Sequence, residues 1–367
     1  METIKVSLAD NFAIQMFYNH YCAWVYSQRI RGIDEPLLLE HSFEHYQCID
    51  ANEIDRIKDN TDDILFLDII KEGPHQFHLL QTFPDNKHYV ILSGADWDEQ
   101  HAPLNIEYTK LYYSVMLFDL SHYAQNNQHC YSFLNSDYNF DYPKKLLFVH
   151  TANSAKSHRD YAVKKLLPVL KTDYVFKYQG QDYGADSSEW DVVGDDIVPD
   201  FEHLYTGEEL ATFGHCRHFV NQLYDQAYFN FITESDWIDT FWKNNQPYHQ
   251  HQFFITEKTT KCLMYGMPFV VAGTANFLSR LHDMGFQTYS DLWDESYDQE
   301  LHPARRLSKV FQTVKSLQHF DWYSNRSKLI EIAQHNKHVY NNINVEADRQ
   351  FTVIQGQLKK LINERRG

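Results

Sequence analysis

The sequence predicts an α/β protein of two Rossmann-like halves, each a parallel sheet with helices packed on it, followed by long terminal helices. Three observations carry that expectation. Short apolar runs without alternation recur along the chain (ILFLDII, HYVILSG, KLLFVH, YFNFITE), the pattern of strands covered on both faces. Helical stretches separate them, and a strand–helix–strand order implies right-handed parallel crossovers. The length, 367 residues, suits two domains of ordinary size.

In the first half, residues 4–8 (IKVSL) read as a strand, and 12–29 carry apolar residues at spacings compatible with a helix. A second strand is expected at 37–39, a short amphipathic helix at 51–60 and a strong strand at 64–70. Gly73-Pro74 breaks the chain and opens a helix through Leu80, before the buried strand 88–94. The Tyr-rich stretch 105–141 shows no clear period, and the polar punctuation at 135–143 approaches a boundary. Residues 1–143 are therefore expected to form an N-terminal Rossmann-like domain, the acceptor half if the architecture is that of a glycosyltransferase.

The second half, 144–300, opens with the strand 145–150, a polar loop at 152–157 and a helix at 159–170. A strand at 173–178 follows, and the glycine- and acid-rich 179–200 reads as an exposed loop. The strand 228–234 leads to the unit QFFITEKTTKCLMYGMPFVVA, residues 252–272. There Phe253-Phe254-Ile255 is expected as a strand, Thr256 as the N-cap and Glu257 as a first-turn acid. Gly266 suits a left-handed C-terminal stop, Pro268 blocks continuation, and Phe269-Val270-Val271 makes the next parallel strand. A helix at 275–284, the turn Gly285-Phe286 and the acidic DLWDESYD follow. Helices near 302–317, 323–341 and 346–364 close the chain, and 301–367 are expected to pack across the domains. Two Rossmann-like domains facing a cleft, with C-terminal helices, describe the GT-B architecture of glycosyltransferases.

In such sheets ligands bind beyond the carboxyl ends of the strands, against helix N-termini. Lys258, and Lys261 one turn later, stand where a phosphate is welcome. Glu257 repels a phosphate and fits if it accepts hydrogen bonds from sugar hydroxyls; the alternative is a solvated first turn. Glu234 closes its strand at the same sheet edge, as a sugar contact or a solvent-facing acid. Asp96-Trp97-Asp98 follows a buried strand, the place where metal-dependent GT-A transferases hold a divalent ion. The other readings of this pair are a plain acidic loop or the base that activates an acceptor hydroxyl. His215-Cys216-Arg217-His218 and His249-Gln250-His251 lack a matching Cys pair or HExxH, so no metal site is assigned.

The formal charge of −17 argues against a broad, sequence-blind nucleic-acid surface. No run of 18 apolar residues is present, and METIKVSLADNF is not expected to act as a secretory signal. Five scattered cysteines without CxxC spacing fit a reducing cytoplasm. No GxGxxG, Walker or GxSxG pattern occurs.

The stretch FITEKTTKCLMYGMPFVVAGTANFLSRLHDMGFQTYSDLWDESYD, within residues 228–298, resembles a group of phage and giant-virus proteins of glycosyltransferase type. The shared features are an ITEKT-x-K segment, a Pro-Phe strand, a Leu-x-x-x-Gly-Phe helix end and an acidic DESYD tail. The ITEK core is also similar to the donor-binding motif of α-1,3-fucosyltransferases, which are GT-B enzymes. FVHTANSAKSHRDYAVKKL looks like the opening of that donor domain. The resemblance covers the second half of the chain and none of the first 140 residues.

It implies that Glu257 binds ribose hydroxyls, that Lys258 pairs with the diphosphate behind the Thr256 cap, and that Lys261 lines the same face. Arg159 and Asn153 would complete the phosphate clamp, Arg by its planar fork. Lys156 and His158 stand where the viral pattern carries additional arginines. The implied activity is metal-independent transfer of a sugar from a UDP- or GDP-sugar, with no further cofactor, in the cytoplasm of an infected host cell. Outside the stretch that carries the resemblance, Asp96 or Asp98 is the expected base for the acceptor hydroxyl. The acceptor is a hydroxymethylated base of phage DNA, or else a glycan, protein or small molecule, with no membrane partner. Two rivals stand beside this reading: a metal-dependent GT-A-like transferase using Asp96 and Asp98, and a non-catalytic nucleotide- or carbohydrate-binding protein.

Overall fold

The computed structural model describes residues 137–152, 155–179, 181–185, 221–235, 237 and 252–366. It also describes the segments 3–7, 38–42, 64–69, 88–94, 96–97, 107–114, 192–193, 196–197, 240–243 and 246–249, with residues 21, 24, 25, 28 and 85. The strands are β1 (Thr3–Ser7), β2 (Leu38–Ser42), β3 (Ile64–Ile69), β4 (His88–Ser93), β5 (Asp96–Trp97), β6 (Glu107–Tyr112), β7 (Leu146–Ala152) and β8 (Val175–Tyr178). They continue as β9 (Gln181–Gly184), β10 (Val192–Val193), β11 (Asp196–Ile197), β12 (Ala227–Thr233), β13 (Thr240–Lys243), β14 (Gln246–His249), β15 (Gln252–Phe253) and β16 (Phe269–Ala272). The helices are α1 (Ser157–Lys165), α2 (Asn221–Asp225), α3 (Glu257–Tyr265), α4 (Phe277–Asp283), α5 (Pro303–Ser316), α6 (Arg326–Asn341) and α7 (Asn344–Arg366). Among the described residues no helix is long and apolar enough to cross a membrane.

The chain forms two compact units. One comprises Met1–Asp119 with Ile343–Gly367, the other Leu120–Asn342. In the first, β1 and β2 pair in parallel, and β3, β4 and β6 form a parallel sheet in that order. The β4 side chains are buried along the whole strand, as its unbroken apolar run requires. β6 was not expected, because EYTKLY buries only Leu111 completely and hides its period. α7 belongs to this unit: Phe351 stacks on Tyr113 with ring centroids 5.1 Å apart, and the Ser114 N–H donates to Gln350 at 3.2 Å. Of the expected helix 12–29, Tyr21, Trp24, Val25 and Gln28 are described and helical; the helices expected at 51–60 and 74–80 lie outside the described residues.

The second unit carries a five-stranded sheet in the order β16-β12-β7-β8-β9. The first four strands are parallel and β9 turns back antiparallel on β8. Residues 179–200 are thus not one exposed loop: β9 lies within them, as do β10 and β11, which pair with each other. Their short polar strands lack the apolar run that marks a core strand. A second correction concerns 253–255. The parallel neighbour of β16 is β12, in the register Asn230↔Phe269 to Thr233↔Ala272. Of the expected run only Phe253 is strand, as the end of β15, although Phe253, Phe254 and Ile255 are all buried. Their burial fills space beneath the start of α3, and Phe253 packs on Phe277 at 5.1 Å.

Phe148, Phe229, Phe231 and Phe176 form an aromatic layer on this sheet, and Phe311 of α5 meets Phe231 edge-on. The DESYD tail is structural here. The Asp298 carboxylate accepts from the Leu278 and Ser279 N–H groups at 2.7 and 3.1 Å and so caps α4. Glu295 accepts from the Thr288 hydroxyl at 2.6 Å and the Tyr289 N–H at 3.0 Å.

Candidate functional site

The carboxyl ends of β7 and β12 and the first turns of α1 and α3 meet in a buried polar cluster. α3 starts as its sequence dictates. Thr256 is extended (φ −109°, ψ 175°) and its hydroxyl accepts from the Lys258 N–H at 3.4 Å; Gly266 ends the helix in the left-handed region at φ 75°. β12 runs directly into Glu234, which is completely buried. The Glu234 carboxylate accepts from the Thr256 N–H at 3.3 Å and from the Thr256 and Thr259 hydroxyls. An anion thus sits on the N-cap N–H of α3, where the helix dipole favours it.

Arg159, in the first turn of α1, is 1% exposed. It donates from Nε to the Thr233 hydroxyl at 2.9 Å and from a terminal nitrogen to the Thr233 carbonyl at 3.0 Å. Because the guanidinium only donates, the Thr233 hydroxyl proton is left for His150 Nε2, 2.9 Å away. His158 Nε2 faces the Glu234 carbonyl at 3.0 Å and must be the donor there. Its ring lies against Trp237, with centroids 5.0 Å apart. Burial, then the positive charge of Arg159, holds both imidazoles well below the ordinary histidine range, and Lys258 acts in the same direction on each. Both are neutral at pH 7. It follows that His158 carries its proton on Nε2 and keeps a bare, buried lone pair on Nδ1, which meets no hydrogen-bond partner among the described residues.

Of the residues expected at a donor site, Arg159, Glu234, Thr256, Lys258 and Lys261 are thereby brought to one neighbourhood. Lys258 and Lys261 are buried, 7% and 4% exposed. Glu257 is the first residue of α3, and Asn153 lies outside the described residues. Asp96 belongs to the other compact unit, where its carboxylate pairs with Lys110 of β6 at 2.9 Å; Asp98 lies outside the described residues. Arg159 and Lys258 both bear on His150 and His158, so positive charge surrounds these two imidazoles. His150, Thr233 and Thr259 were not anticipated. Thr233 and Thr259 give no signal, since a threonine in a strand or helix reads as filler until its hydroxyl meets a partner.

Compared with protein-family models and with curated proteins, the chain matches no family model and no curated protein.

Proposed function

We propose that this protein is a glycosyltransferase of GT-B type, with the second unit as its nucleotide-sugar half. One observation carries the reading: Arg159 from α1 and Lys258 from α3 converge at the carboxyl edge of a parallel sheet, next to the first turns of both helices. Fixed positive charge with the N-terminus of α1 stabilises a departing nucleoside diphosphate without requiring a metal ion. Arg159 is anchored on Thr233, so it serves as an immobile charge, while Lys258 is the residue for the phosphate oxygens. Glu257, at the first position of α3, is the candidate for the ribose hydroxyls. A carboxylate of the first unit, Asp96 or Asp98, is the candidate base for the acceptor hydroxyl. A hydroxymethylated DNA base is one acceptor class, and a glycan, a protein or a small molecule are the others.

Thermal-shift titration with UDP-, GDP- and CMP-sugars tests this. One nucleotide sugar is expected to stabilise the protein, Lys258→Ala to abolish the shift and Asp98→Ala to leave it unchanged. If none of them shifts the transition, the reading fails. Transfer that persists in chelator removes the metal-dependent alternative.

A further inference from the structure

A cleft of about 610 Å³ lies at the opposite edge of the same sheet, within the second unit. The Tyr138 N–H donates to the Tyr265 carbonyl at 2.8 Å, which pins the segment 137–141 against the last residue of α3. α6 forms the facing wall. The polar cluster described above occupies the other end of α3, nine residues or about 13 Å away at 1.5 Å per residue.

We propose that this cleft binds a neutral carbohydrate chain. Its charges cancel in place: Asp137 pairs with Lys337, and Asp141 pairs with Arg326 at 2.6 Å. With no net field, the cleft has no pull on a phosphate or a polyanion. Its volume falls within the ordinary range for small-ligand sites. Gln334, His338 and Asn341 recur on α6 at spacings of four and three, so they share one face, and all three are exposed. Each amide offers a donor and an acceptor, the pairing that a vicinal diol requires.

A second cavity of about 180 Å³ shares Tyr138, Phe140 and Arg326 with the first and is walled by Tyr228, Trp322 and Tyr323. Tyr323 is 88% exposed, a large aromatic with no packing role to account for it. A pyranose presents an apolar C–H face and a rim of hydroxyls. An aromatic-walled cavity next to an amide-lined, charge-balanced cleft answers both. The cleft walls named here, the 137–141 segment and α6, are coil and helix, so an extended peptide finds no strand edge to join there.

The test is binding of the full chain to immobilised neutral gluco-, manno-, galacto- and chito-oligosaccharides, followed by calorimetry with the best series. Binding to at least one series is expected, and it should be insensitive to added salt. Gln334→Ala combined with Asn341→Ala, and separately Tyr323→Ala, should each weaken it by about tenfold or more. All three side chains are exposed, so these variants keep their fold, which circular dichroism checks. Lys258→Ala should bind the oligosaccharide as the unaltered protein does, which separates this cleft from the proposed nucleotide-sugar site. The proposal is overturned if no neutral series binds. It is equally overturned if binding tracks negative charge and collapses in salt, if the α6 and Tyr323 variants bind normally, or if Lys258→Ala alone abolishes it.

Discussion

Glu234→Ala is the substitution that most directly probes how the polar cluster is held. Glu234 is completely buried, and its carboxylate receives the Thr256 N–H and the hydroxyls of Thr256 and Thr259. Hydrogen bonds to a charged group contribute about 1.5–3 kcal/mol each, but three on one carboxylate do not add. Removing the carboxylate also leaves the Thr256 N–H and the two hydroxyls buried without that acceptor, at about 1–3 kcal/mol for each group left unsatisfied. A loss of about 4 kcal/mol is expected. With a urea dependence of about 2 kcal/mol per molar, the midpoint of the second unit falls by about 2 M. Glu234→Gln keeps the volume and one acceptor oxygen and should lose roughly half as much. Equilibrium urea unfolding followed by tryptophan fluorescence measures both. A loss below about 1 kcal/mol for Glu234→Ala would refute the reasoning. So would an unchanged midpoint together with a lost nucleotide-sugar shift, since Glu234 would then be a sugar ligand and not the anchor of α3.

Two further outcomes follow from local geometry. Gly266 sits at φ 75°, and a Cβ there would lie 3.2 Å from the Ala333 Cβ, so Gly266→Ala should cost about 1–2 kcal/mol in the same urea assay. Gly356, in α7, has open space around it, and Gly356→Ala should stabilise the first unit by about 0.5–1 kcal/mol. Burial pushes Glu295 up to about 7 from an ordinary 4.5, so the folded state holds its proton more tightly than the unfolded chain. Its contribution to stability is therefore full below pH 4.5 and is lost as pH rises through about 7. Melting temperatures of Glu295→Gln across that window should show a flatter pH dependence than the unaltered protein, and an unchanged profile would discard this assignment.

Much of the fold was legible because the information is local. HYVILSG and YFNFITE are uninterrupted apolar runs, and they became β4 and β12, buried along most or all of their length. Thr256 and Gly266 act through their own backbone conformations and a neighbour two to four residues away, so the limits of α3 could be read directly. β6 and β9 escaped notice for the converse reason. An edge or half-exposed strand carries polar residues on its open side, and its identity comes from the ladder it joins. The run at 253–255 shows the same limit: hydrophobicity foretold its burial but not that β12 would take the place beside β16.

By itself, then, the sequence determined the α/β class, the helix start at Thr256, the stop at Gly266 and the presence of Lys258 and Lys261 in the first turns of α3. Only the tertiary structure decided that Glu234 would close on Thr256 and Thr259, that Arg159 would be locked on Thr233, and that His150 and His158 would be neutral. These outcomes depend on partners 22 to 83 residues away. A side chain's charge state and hydrogen bonding are set by what surrounds it after the chain has folded.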